Sequence, residues 1–107
     1  MFATIRRYTV APGAIRQMVP QVETEFLPRI RTIAGFHGYE MMEGGQENGR
    51  DVLTTISLFD TREGAEESGR VAASWVSDRL ADLDIRPVSV TTGEVLLSSQ
   101  LAAATGT

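Results

Sequence analysis

The chain has 107 residues, 42% of them hydrophobic and 22% charged, which is the size and composition of one ordinary globular domain. Ten basic and 14 acidic residues give a net charge of −4 with no basic run, so nucleic acid is not an expected partner. Cysteine is absent, which excludes disulfides, thiolate metal sites and a cysteine nucleophile. A domain this short leaves roughly a third of its unfolded-chain surface exposed, and self-association is one common remedy. The first residues, Met1 to Arg7, hold no apolar leader-like stretch. No apolar run reaches the roughly 18 residues a bilayer span needs, so a soluble cytoplasmic protein without a membrane partner is expected.

Phe2 to Val10 alternates as a strand, with Phe2, Thr4, Arg6, Tyr8 and Val10 on one face and Ala3, Ile5, Arg7 and Thr9 on the other. Ala11-Pro12-Gly13 reads as a turn. From Ala14 to Ile33 the residues Ile15, Met18, Val19, Val22, Phe26, Ile30 and Ile33 recur at steps of three and four. Pro20 and Pro28 interrupt this stripe, and each costs about 3 kcal/mol or kinks a helix. Because the stripe continues past both, the spacing predicts one bent helix, stopped at Gly35.

Phe36 to Glu43 is the second expected strand, followed by a polar hairpin loop over Gly44 to Gly49. Asp51 to Phe59 is the third, with apolar residues on both faces. Asp60, with Glu63 three residues on, reads as the cap of a second helix whose stripe is Ala65, Ala72, Trp75, Val76, Leu80 and Leu83. Gly64 and Gly69 weaken its early turns. Pro87 to Ser98 is the last strand. The domain is placed at 1–98, with 99–107 as a short flexible tail.

This order predicts an α+β, ferredoxin-like βαββαβ domain, an antiparallel sheet with both helices on one face. Whichever face meets the helices, either Leu53 and Phe59 or Ile56 and Leu58 remain on the other. A second copy would cover them, so a homodimer with sheets packed face to face is expected.

Five residues carry the candidate chemistry. Arg6 lies mid-strand among apolar neighbours, where a guanidinium needs a partner: a ligand carboxylate or phenolate, or else Glu40, Glu94 or the other protomer. His37, the one histidine, is a candidate general base or a hydrogen-bonded strand residue. Trp75 stacks on an aromatic ligand or fills the core. Tyr8 and Tyr39 donate to a ligand oxygen or pack with their hydroxyls at an edge. Arg6, Tyr8 and Trp75 would line an apolar hollow between sheet and helices, the usual place for a ligand. Asp78, Asp82 and Asp84 look like a solvated face. Gly44-Gly45 is no phosphate loop, because no Lys-Ser/Thr follows. His37 and Glu40 have opposite strand parity and form no metal pair, so no metal is expected.

The run Thr9-Val10-Ala11-Pro12-Gly13, the step Phe26-Leu27-Pro28, the stretch Ala34-Gly35-Phe36-His37-Gly38-Tyr39, then Leu58-Phe59-Asp60-Thr61-Arg62-Glu63 and Gly93-Glu94-Val95 together carry a likeness. They resemble the antibiotic biosynthesis monooxygenase-like proteins of the dimeric α/β-barrel superfamily, over almost the whole chain. The resemblance implies the barrel-forming homodimer and an oxygenase that works without a cofactor on a small aromatic or polyketide-type compound. The alternative is a non-catalytic dimeric small-molecule-binding or accessory domain, since one fold hosts many activities. The haem-degrading branch uses an Asn on the first strand and a Trp and a His on the second helix. Arg6, Ser68 and Asp78 stand near those positions here, so the resemblance implies no haem.

Overall fold

The structure is a computed structural model, described here over residues 1–99. The expected tail lies outside the described residues from position 100 onward. Strand β1 is Phe2–Val10, β2 is Phe36–Glu47, β3 is Arg50–Phe59 and β4 is Arg86–Glu94. They form one antiparallel sheet in the order β2-β3-β1-β4. Helical segments follow β1 and β3, which gives the ferredoxin-like βαββαβ arrangement.

Strand parity decides the faces. Thr4, Tyr8 and Val10 of β1 and Leu53, Thr55, Ser57 and Phe59 of β3 are buried under the helices. Ile5, Arg7, Thr54, Ile56 and Leu58 lie on the open face, where Ile5 is 43% exposed. The core joins Tyr8, Val10, Leu53 and Phe59 to Ile15, Met18, Val22, Phe26 and Ile30 of the first helical run and to Ala65, Ala72, Trp75 and Leu80 of the second.

The first helical run is continuous but changes pitch. Helix α1 (Ala14–Gln21) passes into a π-turn (Val22–Phe26) and then helix α2 (Leu27–Arg31). The Leu27 N–H bonds the Val22 carbonyl, five residues back. Pro28 has no N–H, and in an α-helix its ring collides with the carbonyl four residues earlier; the wider turn gives that ring room. Thr24 Oγ1 donates to the Pro20 carbonyl at 2.8 Å. The helical run therefore continues through both prolines. Val19, expected in the stripe, is 38% exposed.

Three local expectations need correction. The hairpin loop is only Asn48-Gly49, with φ of 52° and 75°, so β2 runs to Glu47. An Asn-Gly pair supplies the two positive φ angles that a tight two-residue turn needs. Gly44 and Gly45 belong to the strand, where the register slips between Glu43 and Gln46. The last strand ends at Glu94, and Leu96 and Leu97 beyond it are nearly fully exposed.

The third correction concerns the start of helix α3 (Arg62–Arg79). Its cap is Thr61, whose Oγ1 accepts from the Gly64 N–H at 3.0 Å, and not Asp60. Thr61→Ala is expected to cost about 1 kcal/mol, read as a shift in the denaturant midpoint with unchanged slope. Gly64 and Gly69 do more than weaken this helix. A Cβ on Gly64 would stand 3.1 Å from the Phe59 ring, so the glycine lets helix and sheet close on each other.

Candidate functional site

Tyr8, Tyr39 and Trp75 do converge. With Met18, Val22, Phe26, Met41, Leu53, Thr55, Ala72, Val76 and Ile85 they surround a hollow between sheet and helices. Its volume is about 30 Å³. That holds a water or two, whereas an apolar cavity that takes up benzene measures about 150 Å³. Side chains therefore nearly fill the space that the sequence marks as the pocket. Tyr8 is 7% and Trp75 2% exposed.

Phe26 organises the aromatic lining. Its ring centroid lies 5.5 Å from Tyr39 in an edge-on contact and 5.5 Å from Trp75 at 38°. The Trp75 indole N–H is already used, because Nε1 donates to Glu25 Oε1 at 3.2 Å. Arg79 holds the same carboxylate through Nε and Nη2, at 2.8 and 3.1 Å. Glu25 sits in the π-turn, on the stretch where the changed pitch resets which side chains face α3. Burial pushes the Tyr39 phenol well above its ordinary range, with the neighbouring Tyr8 adding to the rise. Tyr39 is thus a neutral hydrogen-bond donor and not a phenolate base.

His37 and Arg6 lie elsewhere. The β2–β3 register slips between Phe36 and Gly38, leaving His37 as the extra residue of a bulge. From there its Nε2 meets Asp60 Oδ1, the carboxylate expected to cap α3. The same residue's N–H donates to the Gly35 carbonyl at 2.8 Å. His37 and Asp60 therefore tie the end of the first helical run to the entry of α3, on the surface and apart from the hollow.

Arg6 points from β1 toward α3 and lines a different groove, with Ala65, Glu66, Gly69, Arg70, Ala73, Val90 and Thr92. Glu40, one partner anticipated for it, projects from the opposite face of the sheet. Asp84 is exposed, as expected of a solvated face, and accepts there from Arg50 Nη1 at 2.7 Å and Arg86 Nε at 3.2 Å. A larger depression, about 640 Å³, is an open surface cleft between α2 and α3 that touches none of the tyrosines or Trp75. Among the described residues no cluster of three or more metal-ligating side chains occurs. No helix among them is long and apolar enough to cross a membrane.

Three carboxylates are held below their ordinary range: Glu25 by its bonds from Arg79, Asp84 by Arg50, and Asp51 by the Gly13 N–H. Each binds its proton more weakly folded than unfolded. Their stabilisation is complete above the ordinary values of 4.5 and 3.8 and is lost as pH falls through the depressed ones. The thermal midpoint should stay level down to roughly pH 5 and drop below about pH 4, and Glu25→Gln should flatten part of that drop.

No family model matches the chain, and no curated protein matches it either. Solved structures do. A dimeric ferredoxin-like protein from an uncultured marine organism superposes with a TM-score of 0.68 at 9% identity, covering 94% of this chain and 99% of that one. A Nitrosomonas europaea protein provisionally described as an antibiotic biosynthesis monooxygenase gives 0.60 at 17% identity, covering 91% and 100%. A Bacillus cereus protein with the same provisional description gives 0.56 at 18%, covering 92% and 96%. At such identities the likeness speaks for the fold. The chain has the ferredoxin-like βαββαβ fold, and it shares that fold with proteins described as antibiotic biosynthesis monooxygenases and as dimeric ferredoxin-like proteins.

Proposed function

We propose that the chain is a cytoplasmic homodimer, closed into a dimeric α/β barrel through its open sheet faces, that binds a small organic molecule without oxidising it. The observation that carries the non-catalytic reading is the hollow of about 30 Å³. Its polar lining consists of neutral hydroxyls, its Trp75 N–H is engaged by Glu25, and the histidine stands outside it. An oxygenase that draws electrons from its own substrate must enclose that substrate's ring, and this space does not.

The dimer is supported by the half-covered apolar residues of the open face, Ile5, Ile56 and Leu58, which a second sheet would bury. It is supported also by the neighbour described as dimeric. Native mass spectrometry should give twice the chain mass for the wild type and a folded monomer for Ile56→Glu.

The second reading is the cofactor-independent monooxygenase acting on a small aromatic or polyketide-type compound. One feature favours it. A surface groove of about 230 Å³ shares Val22, Tyr39 and Met41 with the hollow, and outward movement of Tyr39 and Met41 would join the two. An oxygen electrode separates the readings. With 1,4-dihydroxynaphthalene, uptake is expected to match the protein-free rate. Faster uptake that falls on Tyr39→Phe would overturn the binding reading in favour of the oxygenase.

A further inference from the structure

We infer that the groove between α3 and the edge strand β4 is a site for a small carboxylate, anchored by Arg6. The inference rests on the small-molecule-binding reading and names its ligand class and its place. Arg6 is half-buried between Thr4 and Tyr8, beneath α3. Among the described residues its guanidinium forms no ion pair and no side-chain hydrogen bond; Arg29, Arg31 and Arg62 also lack an ion pair but stand exposed, whereas the other six arginines are paired. A guanidinium stays charged at any working pH and carries a planar fork of donors that matches a carboxylate.

The helix makes room for it. A Cβ at position 69 would stand 2.1 Å from Arg6 Nη2, so only glycine leaves the fork in place. The groove is a surface depression of about 310 Å³, open to solvent on one side. Its walls are Ala65, Ala73 and Val90, small and apolar, suited to a flat hydrocarbon body. The Thr92 hydroxyl is bonded to Thr4 Oγ1 at 3.0 Å, and Arg70 is held by Glu67 at 2.8 Å. Arg6 is therefore the group with donors to offer. Glu66 also lines the groove, and its charge selects for a single carboxylate over a multiply charged anion.

Benzoate is the probe, and benzyl alcohol its neutral counterpart of similar shape, each titrated calorimetrically into the intact protein at low salt. Benzoate is expected to bind at least about tenfold more tightly than benzyl alcohol and to weaken as salt is added. Arg6→Gln should lose about tenfold in benzoate affinity, and Arg70→Gln less than about threefold. Gly69→Ala, which displaces the fork while improving helix propensity, should reproduce the Arg6 loss. It decides the matter if circular dichroism shows that Arg6→Gln has not folded. Equal binding of both probes, or benzoate affinity unchanged in Gly69→Ala, overturns the carboxylate site and leaves the binding reading standing. Absence of binding by either probe at about 10 mM, weaker than about 3 kcal/mol, overturns both.

Discussion

Trp75→Ala should cost about 3–5 kcal/mol of stability, a large part of what holds a small domain together. The indole is 2% exposed, lies against Phe26 and closes one side of the hollow. Truncation removes its contacts with the first helical run and leaves a void too well supported to collapse. It also strands the Glu25 carboxylate with Arg79 as its one remaining partner from α3. Trp75→Phe keeps most of the packing and loses only the N–H bond, so its midpoint should lie much nearer the wild type. Denaturant titration measures both. A loss below about 1 kcal/mol in Trp75→Ala would show that the residue does not serve the core and would return it to the ligand-stacking role.

Gly35→Ala should cost about 2–4 kcal/mol. Gly35 has φ of +83°, and a Cβ there would stand 2.9 Å from the Asp60 Cβ and 3.2 Å from its backbone nitrogen. Gly13 has the same φ of +83°, with nothing within 4 Å of its would-be Cβ. Gly13→Ala therefore carries the backbone strain alone, about 1–2 kcal/mol. The difference between the two variants isolates the collision with Asp60. Equal losses would mean that the junction can shift to admit the methyl group.

Most of the fold is legible in alternation and helical spacing. Parity along Asp51–Phe59 correctly pairs Leu53 with Phe59 on one face and Ile56 with Leu58 on the other. The Asn48-Gly49 signal was present but masked by Gly44-Gly45, a glycine pair that looks like a loop and is a bulge. Asp60 and Thr61 are both capping residues one position apart, and by preference alone Asp60 is the better. What separates them is His37, which a strand bulge brings to Asp60 and which no local pattern announces. The Glu25–Trp75 bond is equally silent in sequence. It joins the π-turn to α3 across fifty positions. The convergence of Tyr8, Tyr39 and Trp75 follows from face assignments, but the volume left among them depends on how methionines and aromatics interdigitate, which periodicity does not encode. The space around Arg6 has one trace in the sequence: a glycine in mid-helix at a buried position.

The sheet order also sets a timetable for synthesis. β1 is made first yet lies inside the sheet, between β3 and β4. Val10 pairs with Asp51 and Phe2 with Glu94, so neither edge of β1 finds its neighbour until much later in the chain. The β2–β3 hairpin, closed by two residues, needs no such wait and can form alone. At cellular elongation speeds the nascent β1, which carries apolar residues on both faces, stays unpaired for roughly 2–10 s before β3 is complete. During that interval its exposed edges are open to other nascent chains, and this N-terminal strand is where a chaperone would have most to protect.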